Sequence, residues 1–163
     1  MLRVIGAFVL GALIGIGAGF AGGIFAYPYV FLADIVGMDT VDMTGRRQVA
    51  QGTFIHVNPA DPIHYGQGKV TVYDDLVHLG DDFEVGPGPA FHVYLVPSAE
   101  VRGAADVENS MYIDLGRLRA FKGGQNYDIP AGIDLADYGS VVIWCERFGV
   151  LISPATLQPS PGV

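Results

Sequence analysis

The hydrophobic pattern divides the chain into two unlike parts. From Val4 to Ala33 no charged residue occurs, and no polar face recurs at a helical period. At ~1.5 Å per residue this run exceeds the ~20 residues that a bilayer core requires. It predicts an anchor and interfacial segment over residues 1–33, with Val4 to about Ala26 crossing the membrane. Phe25, Tyr27, Tyr29 and Phe31 then form an interfacial aromatic belt, and Pro28 falls at the helix end, where a missing N–H costs least. A cleaved signal peptide is the rival reading, with Ala21-Gly22-Gly23 as a small-residue cleavage site. The apolar run continues past that point through Ile24, Phe25 and Ala26, which favours a retained anchor.

After residue 48 the pattern changes to short β-type runs bounded by turn residues. The predicted strands are 53–57, 69–73, 76–79, 82–85, 89–96, 111–118, 126–129, 141–145 and 148–152. In the clearest of them Phe91, Val93 and Leu95 face one way and His92 and Tyr94 the other. No long run in this region has a helical period. The expected fold class is therefore all-β: an antiparallel β-sandwich, or a barrel-like variant, preceded by a single transmembrane α-helix. The organisation is an anchor over 1–33, a linker over 34–47 that mixes charges and glycines, a β domain over 48–158 and a Pro/Gly-rich tail over 159–163.

Within the anchor, Gly11, Gly15, Gly19 and Gly23 recur at every fourth position and so share one side of a helix. Small residues at this spacing let a second helix approach closely. This glycine face predicts packing against other transmembrane helices within the bilayer, in a hetero-complex or with a copy of the same chain.

Composition sharpens the division. The chain is 50% hydrophobic and 16% charged with a net charge of −8, and all the acidic groups lie beyond the apolar run. An acidic domain repels phosphate backbones and anionic headgroups, which argues against nucleic-acid binding and against anchoring by a basic patch. Arg3 on one side of the anchor and Arg46 and Arg47 on the other nearly cancel, so charge does not set the orientation.

Cys145 is the single cysteine, so no internal disulfide, zinc cluster or CxxC pair is possible. Strand alternation puts it with Val141 and Ile143 on a core-like face, where a thiol behaves as a small hydrophobe. A redox role would require nearby positive charge, for which Arg147 is the candidate. His56, His64, His78 and His92, with Met111 as an axial ligand, are the residues available for haem or copper. Their scatter favours ordinary hydrogen-bonded histidines. The turn acids Asp74, Asp75, Asp81, Asp82 and Glu84 lack the EF-hand spacing and read as solvated turn formers. No P-loop, GxSxG or zincin motif is present, so the sequence predicts neither a metal site nor a catalytic constellation, and it names no cofactor.

Several segments in order carry a family likeness. They are Gly52-Thr53-Phe54, Gly66-Gln67-Gly68-Lys69-Val70, Asp82-Phe83-Glu84-Val85-Gly86-Pro87-Gly88-Pro89 and His92-Val93-Tyr94-Leu95. Leu115-Gly116-Arg117-Leu118, Gly123-Gly124-Gln125-Asn126-Tyr127-Asp128-Ile129-Pro130 and Tyr138-Gly139-Ser140-Val141-Val142-Ile143-Trp144-Cys145-Glu146-Arg147-Phe148 follow. Together, over about residues 48–158, the chain resembles the DM13 domain family. The resemblance implies a β-sandwich outside the cytoplasm, often attached to a membrane, and an electron-transfer role built around the cysteine that corresponds to Cys145. Ala90, Ala120 and Gly124 depart from the usual family pattern.

Three readings follow. The first is a non-catalytic accessory or interaction subunit of a larger membrane assembly, itself an electron-transfer complex in one form of the idea. The second is an electron-transfer module using Cys145 or a bound cofactor. The third is a cell-surface glycan or small-molecule binding module, with Trp144 and Tyr94 as the ligand platform.

Overall fold

The computed structural model describes residues 1–42 and 44–160; residues 161–163 of the expected tail and Met43 of the expected linker lie outside the described residues. Helix α1 spans Leu2–Tyr27 and passes directly into a π-helical turn, Pro28–Leu32. Pro28 has no N–H to give to the preceding turn, so the helix widens there and continues. The helical rod is therefore longer than the sequence pattern predicts. Its segment Arg3–Ile24 is long and apolar enough to cross a membrane and is exposed over most of its length; at its end Gly19, Phe20, Gly23 and Ile24 share a pocket with Pro89, Arg117 and Arg147. Of the expected aromatic belt, the rings of Tyr27 and Phe31 lie 5.1 Å apart; the side chains of Phe25 and Tyr29 lie outside the described ones.

The remainder is almost entirely β. In chain order the strands are β1 Val36–Met38, β2 Gln48–Thr53, β3 Gly66–Gln67, β4 Lys69–Tyr73, β5 Leu76–Leu79 and β6 Glu84–Val85. They continue with β7 Phe91–Val96, β8 Ile113–Arg117, β9 Lys122–Asp128, β10 Ser140–Cys145, β11 Val150–Thr156 and β12 Gln158–Pro159. A short helix, α2 (Ala104–Glu108), lies between β7 and β8. One sheet runs β12-β2-β4-β5-β9-β6-β3, and the other runs β11-β10-β7-β8. Among the described residues all strand pairings are antiparallel except that of β1 with β9. The two curled sheets form a half-barrel, within the all-β, sandwich or barrel-like class that the strand pattern predicts.

Alternation decides which residues meet between the sheets. Val70 and Val72 of β4, Val77 and Leu79 of β5, and Tyr127 of β9 pack against Phe91, Val93 and Leu95 of β7 and Val141, Ile143 and Cys145 of β10. Burying each such Val, Leu, Ile or Phe is worth ~1.5–3 kcal/mol, and this interface is the main source of stability. A second, smaller core lies on the outer face of the four-stranded sheet. There α2 and its approach bring Val101 and Val107 onto Tyr94, Val96, Val142 and Trp144. Asp106 holds the start of α2, accepting from the N–H groups of Arg102 at 2.8 Å and Gly103 at 3.0 Å. Strand β10 is consequently buried on both faces.

Two local differences from the sequence pattern have clear causes. The strand expected over 53–57 begins earlier, as β2. Phe54 keeps only a bridge to Ala155, and the chain then leaves towards the Asn58-Pro59 turn. The segment 34–47, expected as a linker, contributes β1, which pairs in parallel with β9. That approach requires glycine on both strands: a Cβ on Gly37 would collide with the Gly124 carbonyl, and one on Gly124 would stand 2.6 Å from the Asp39 carbonyl. Asp39 completes the attachment by accepting from the N–H of Asn126 at 3.0 Å and from the Arg119 guanidinium at 2.5 Å.

Candidate functional site

Strands β7, β8 and β10 place one polar cluster on the outer face of the four-stranded sheet. His92 and Tyr94 are alternate residues of β7 and therefore project from the same face. Register sets Trp144 opposite His92 and Asp114 opposite Tyr94, with a bulge in the β7–β8 ladder between them. Glu146, immediately after β10, is held by its N–H donating to the Ala90 carbonyl at 3.0 Å.

The four polar side chains form one continuous chain. Nδ1 of His92 lies 3.0 Å from Asp114 Oδ2, and Nε2 lies 3.2 Å from Glu146 Oε2. The other Glu146 oxygen accepts from the Tyr94 hydroxyl at 2.8 Å. A histidine with a carboxylate at each ring nitrogen can donate to both only as the imidazolium. Burial, and then the hydrogen bond to Glu146, push the Tyr94 phenol well above the ordinary tyrosine value of 10.0. His92, Asp114 and Glu146 offer donor atoms within 4.8 Å of one another, close enough for a cation. Each is nevertheless engaged by a protein partner, so the cluster is satisfied by its own bonds.

Aromatic rings continue from the same tyrosine. Tyr112 stacks on Tyr94 with centroids 4.5 Å apart and planes at 4°, and Trp144 lies on from Tyr94 at 6.5 Å. Tyr112 is 42% exposed, whereas Tyr94 is 2% and Trp144 5% exposed. The stack thus leads from solvent into the second core. Tyr94 and Trp144, expected as a ligand platform, do stand together, but their rings are covered by Tyr112, Val101, Val107 and Leu151 and present no open face.

Cys145 lies on the opposite face of β10. It is 2% exposed within the main core, beside Phe91 and Ile143. Burial pushes its thiol above the usual cysteine value, against an opposing pull from the backbone N–H groups of Phe148, Arg147 and Ala90. It is therefore the protonated, weakly nucleophilic form at neutral pH. The sheet separates it from the His92 cluster.

The other candidate ligands do not converge. His56 Nε2 lies 2.7 Å from the Asp61 carbonyl, His64 Nδ1 2.7 Å from the Asp61 carboxylate and His78 Nδ1 2.7 Å from Asn126 Oδ1. Met111 is exposed and contributes nothing to a site. Asp75 pairs with Arg46, Asp82 accepts from the N–H of Lys69, and Glu84 pairs with Lys122. Asp114 and Glu146 are the site residues that sequence reasoning misses. The clue available was alternation: it sets His92 and Tyr94 on one face, and a carboxylate follows the strand that carries Trp144.

The glycines of the anchor leave room along one helix side. Beyond the helix's own neighbouring backbone, a Cβ added at Gly11, Gly15, Gly19 or Gly23 would meet nothing within 4 Å, although Gly19 and Gly23 line a pocket with Pro89, Arg117 and Arg147.

A family model described as "Electron transfer DM13" matches residues 60–157, more than half of the chain. The match takes in β3 to β11 and therefore the whole His92–Tyr94–Asp114–Glu146 cluster and Cys145; α1 lies outside it. No curated protein and no solved structure gives a significant match.

Proposed function

The chain belongs to the electron-transfer DM13 family, and from that premise we propose that it is a membrane-anchored, non-catalytic accessory subunit of a larger membrane electron-transfer assembly. In this reading α1 stays in the bilayer and the β domain stands outside the cytoplasm at the membrane surface. The observation that carries the proposal is the glycine side of an apolar helix: Gly11 and Gly15 stand open, and only Gly19 and Gly23, near its end, share a pocket with Pro89, Arg117 and Arg147 of the β domain. In a bilayer, where hydrophobic burial cannot drive association, such a face packs by close backbone approach to another helix. The β domain supports the non-catalytic part, because its ionisable groups on the site face are satisfied by one another.

Two other readings have less support. A naked-thiol carrier needs an accessible thiolate, whereas Cys145 is buried and held protonated. A glycan module needs an exposed aromatic face, and Trp144 is covered. The test is extraction from the native membrane in a mild detergent with identification of what co-purifies. A stoichiometric membrane redox complex supports the proposal; recovery of the chain alone, under conditions that keep known complexes intact, overturns it.

A further inference from the structure

We propose that Tyr94 is a one-electron redox site whose proton is taken up by Glu146, with Tyr112 as the entry point for the electron hole. The inference deepens the electron-transfer reading and rests on it. Three observations converge on this one side chain. Its hydroxyl donates to a carboxylate oxygen at 2.8 Å. Its ring stacks nearly parallel on Tyr112, which is partly exposed on the protein surface, and lies beside Trp144 on the inner side. The carboxylate that faces it is itself held in place by His92, whose other nitrogen meets Asp114.

A buried phenol cannot simply lose an electron, because the cation left behind would be unsolvated. Nor can it first lose its proton, because burial and Glu146 hold it protonated far above neutrality. Both particles must leave together. A metal-centred one-electron oxidant docked over Tyr112 gains one electron; Tyr94 loses one. The phenolic O–H bond breaks, the proton crosses to Glu146 Oε1 and a new O–H bond forms there. The products are a neutral tyrosyl radical and a neutral carboxylic acid, and re-reduction returns the electron to the ring and the proton to the hydroxyl. Asp114 keeps His92 oriented on Glu146 throughout, so the acceptor does not reorganise. Tyr127 shows the contrast. It is also buried, but its hydroxyl donates to the amide oxygen of Gln125, which cannot take up a proton under these conditions.

The experiment uses the full chain in detergent and photogenerated tris(bipyridine)ruthenium(III) as the oxidant, followed by transient absorption and electron paramagnetic resonance. The wild type is expected to give one dominant tyrosyl radical, formed more slowly in deuterium oxide. Tyr94→Phe should remove that radical, and Glu146→Gln should slow its formation by about a hundredfold, the usual scale of a lost proton acceptor. Glu146→Asp should recover part of the rate. A wild-type radical with no isotope effect would overturn the proton coupling without recourse to any variant. An unchanged radical in folded Tyr94→Phe would overturn the site. Because the oxidant is inorganic, these outcomes do not depend on a protein partner, whereas the co-purification result does not depend on Tyr94.

Discussion

The hydroxyl of Tyr94 donates to Glu146, so a residue in the middle of β7 is locked to the first residue beyond β10. The partnership has a thermodynamic signature. The Tyr94 and Tyr127 phenols and the Cys145 thiol are all pushed up in the folded protein, chiefly by burial, from values of 10.0, 10.0 and 9.0. Above those values the unfolded chain releases protons that the folded chain keeps, so folding weakens as pH rises. Stability is fully present below about pH 9 and should decline progressively above it. Urea midpoints measured from pH 7 to 11 check this, and Tyr94→Phe should flatten the decline. A midpoint constant to pH 11 would contradict the burial of these groups.

At the acid end the sign reverses. Asp61 is lowered from 3.8 to about 2 by the His64 side chain, with help from the N–H groups of Ile63 and His64. Its contribution is present above 3.8 and lost as pH falls towards 2. Carboxylate titration followed by nuclear magnetic resonance should find Asp61 below its ordinary value of 3.8, and His64→Ala should return it towards that value.

Cys145 should be inert in the native protein. Reaction with a neutral alkylating reagent is expected to be on the order of a hundredfold slower than in the unfolded chain, because the core must open first. Rapid labelling without loss of structure would show that the thiol is accessible after all.

Gln125 should prove structural. It is 1% exposed, donates to the Ala120 carbonyl at 2.8 Å and accepts from the N–H groups of Ala120 and Arg119 and from the Tyr127 hydroxyl. Gln125→Leu strands these partners and is expected to cost about 3 kcal/mol, read from denaturant unfolding.

In the membrane, Gly11→Leu and Gly15→Leu fill the open helix side away from the β domain. Under the accessory-subunit proposal they should reduce recovery of the co-purifying complex about tenfold or more, since 1.4 kcal/mol of lost packing suffices. The same variants should leave the Tyr94 radical unchanged.

Much of this fold is legible along the chain, and the reasons for the exceptions are physical. Lys69–Tyr73 and Leu76–Leu79 fall where the sequence puts them, because Val70 and Val72 alternate onto the core and the Asp74-Asp75 turn separates the two strands. The face of Cys145 follows from the same period. The run Val141-Val142-Ile143-Trp144-Cys145 carries a further message in its lack of alternation: a strand apolar at every position is buried on both faces. Alternation alone sets Trp144 opposite Cys145 and leaves it looking exposed; the short α2 that covers it is five residues long and has no readable period. Strand β1 is hidden for a similar reason. Three residues, one of them glycine, have no pattern of their own, and their conformation comes from β9. The polar cluster depends on cross-strand register between distant segments, which a single sequence does not encode visibly.

The clasp of Asp39 by Arg119 and Asn126 sets the reach of the whole domain. The helical rod ends at Leu32 and β1 starts at Val36, so only residues 33–35 are free to act as a leash. At ~3.5 Å per residue they extend roughly 10 Å. With α1 seated in a bilayer, the domain is a fixed post and not a diffusing shuttle; under the accessory-subunit proposal, redox partners would have to dock within that radius. Cutting the clasp with Asp39→Ala would lengthen the leash by freeing β1, and faster amide exchange at Val36–Met38 would report it.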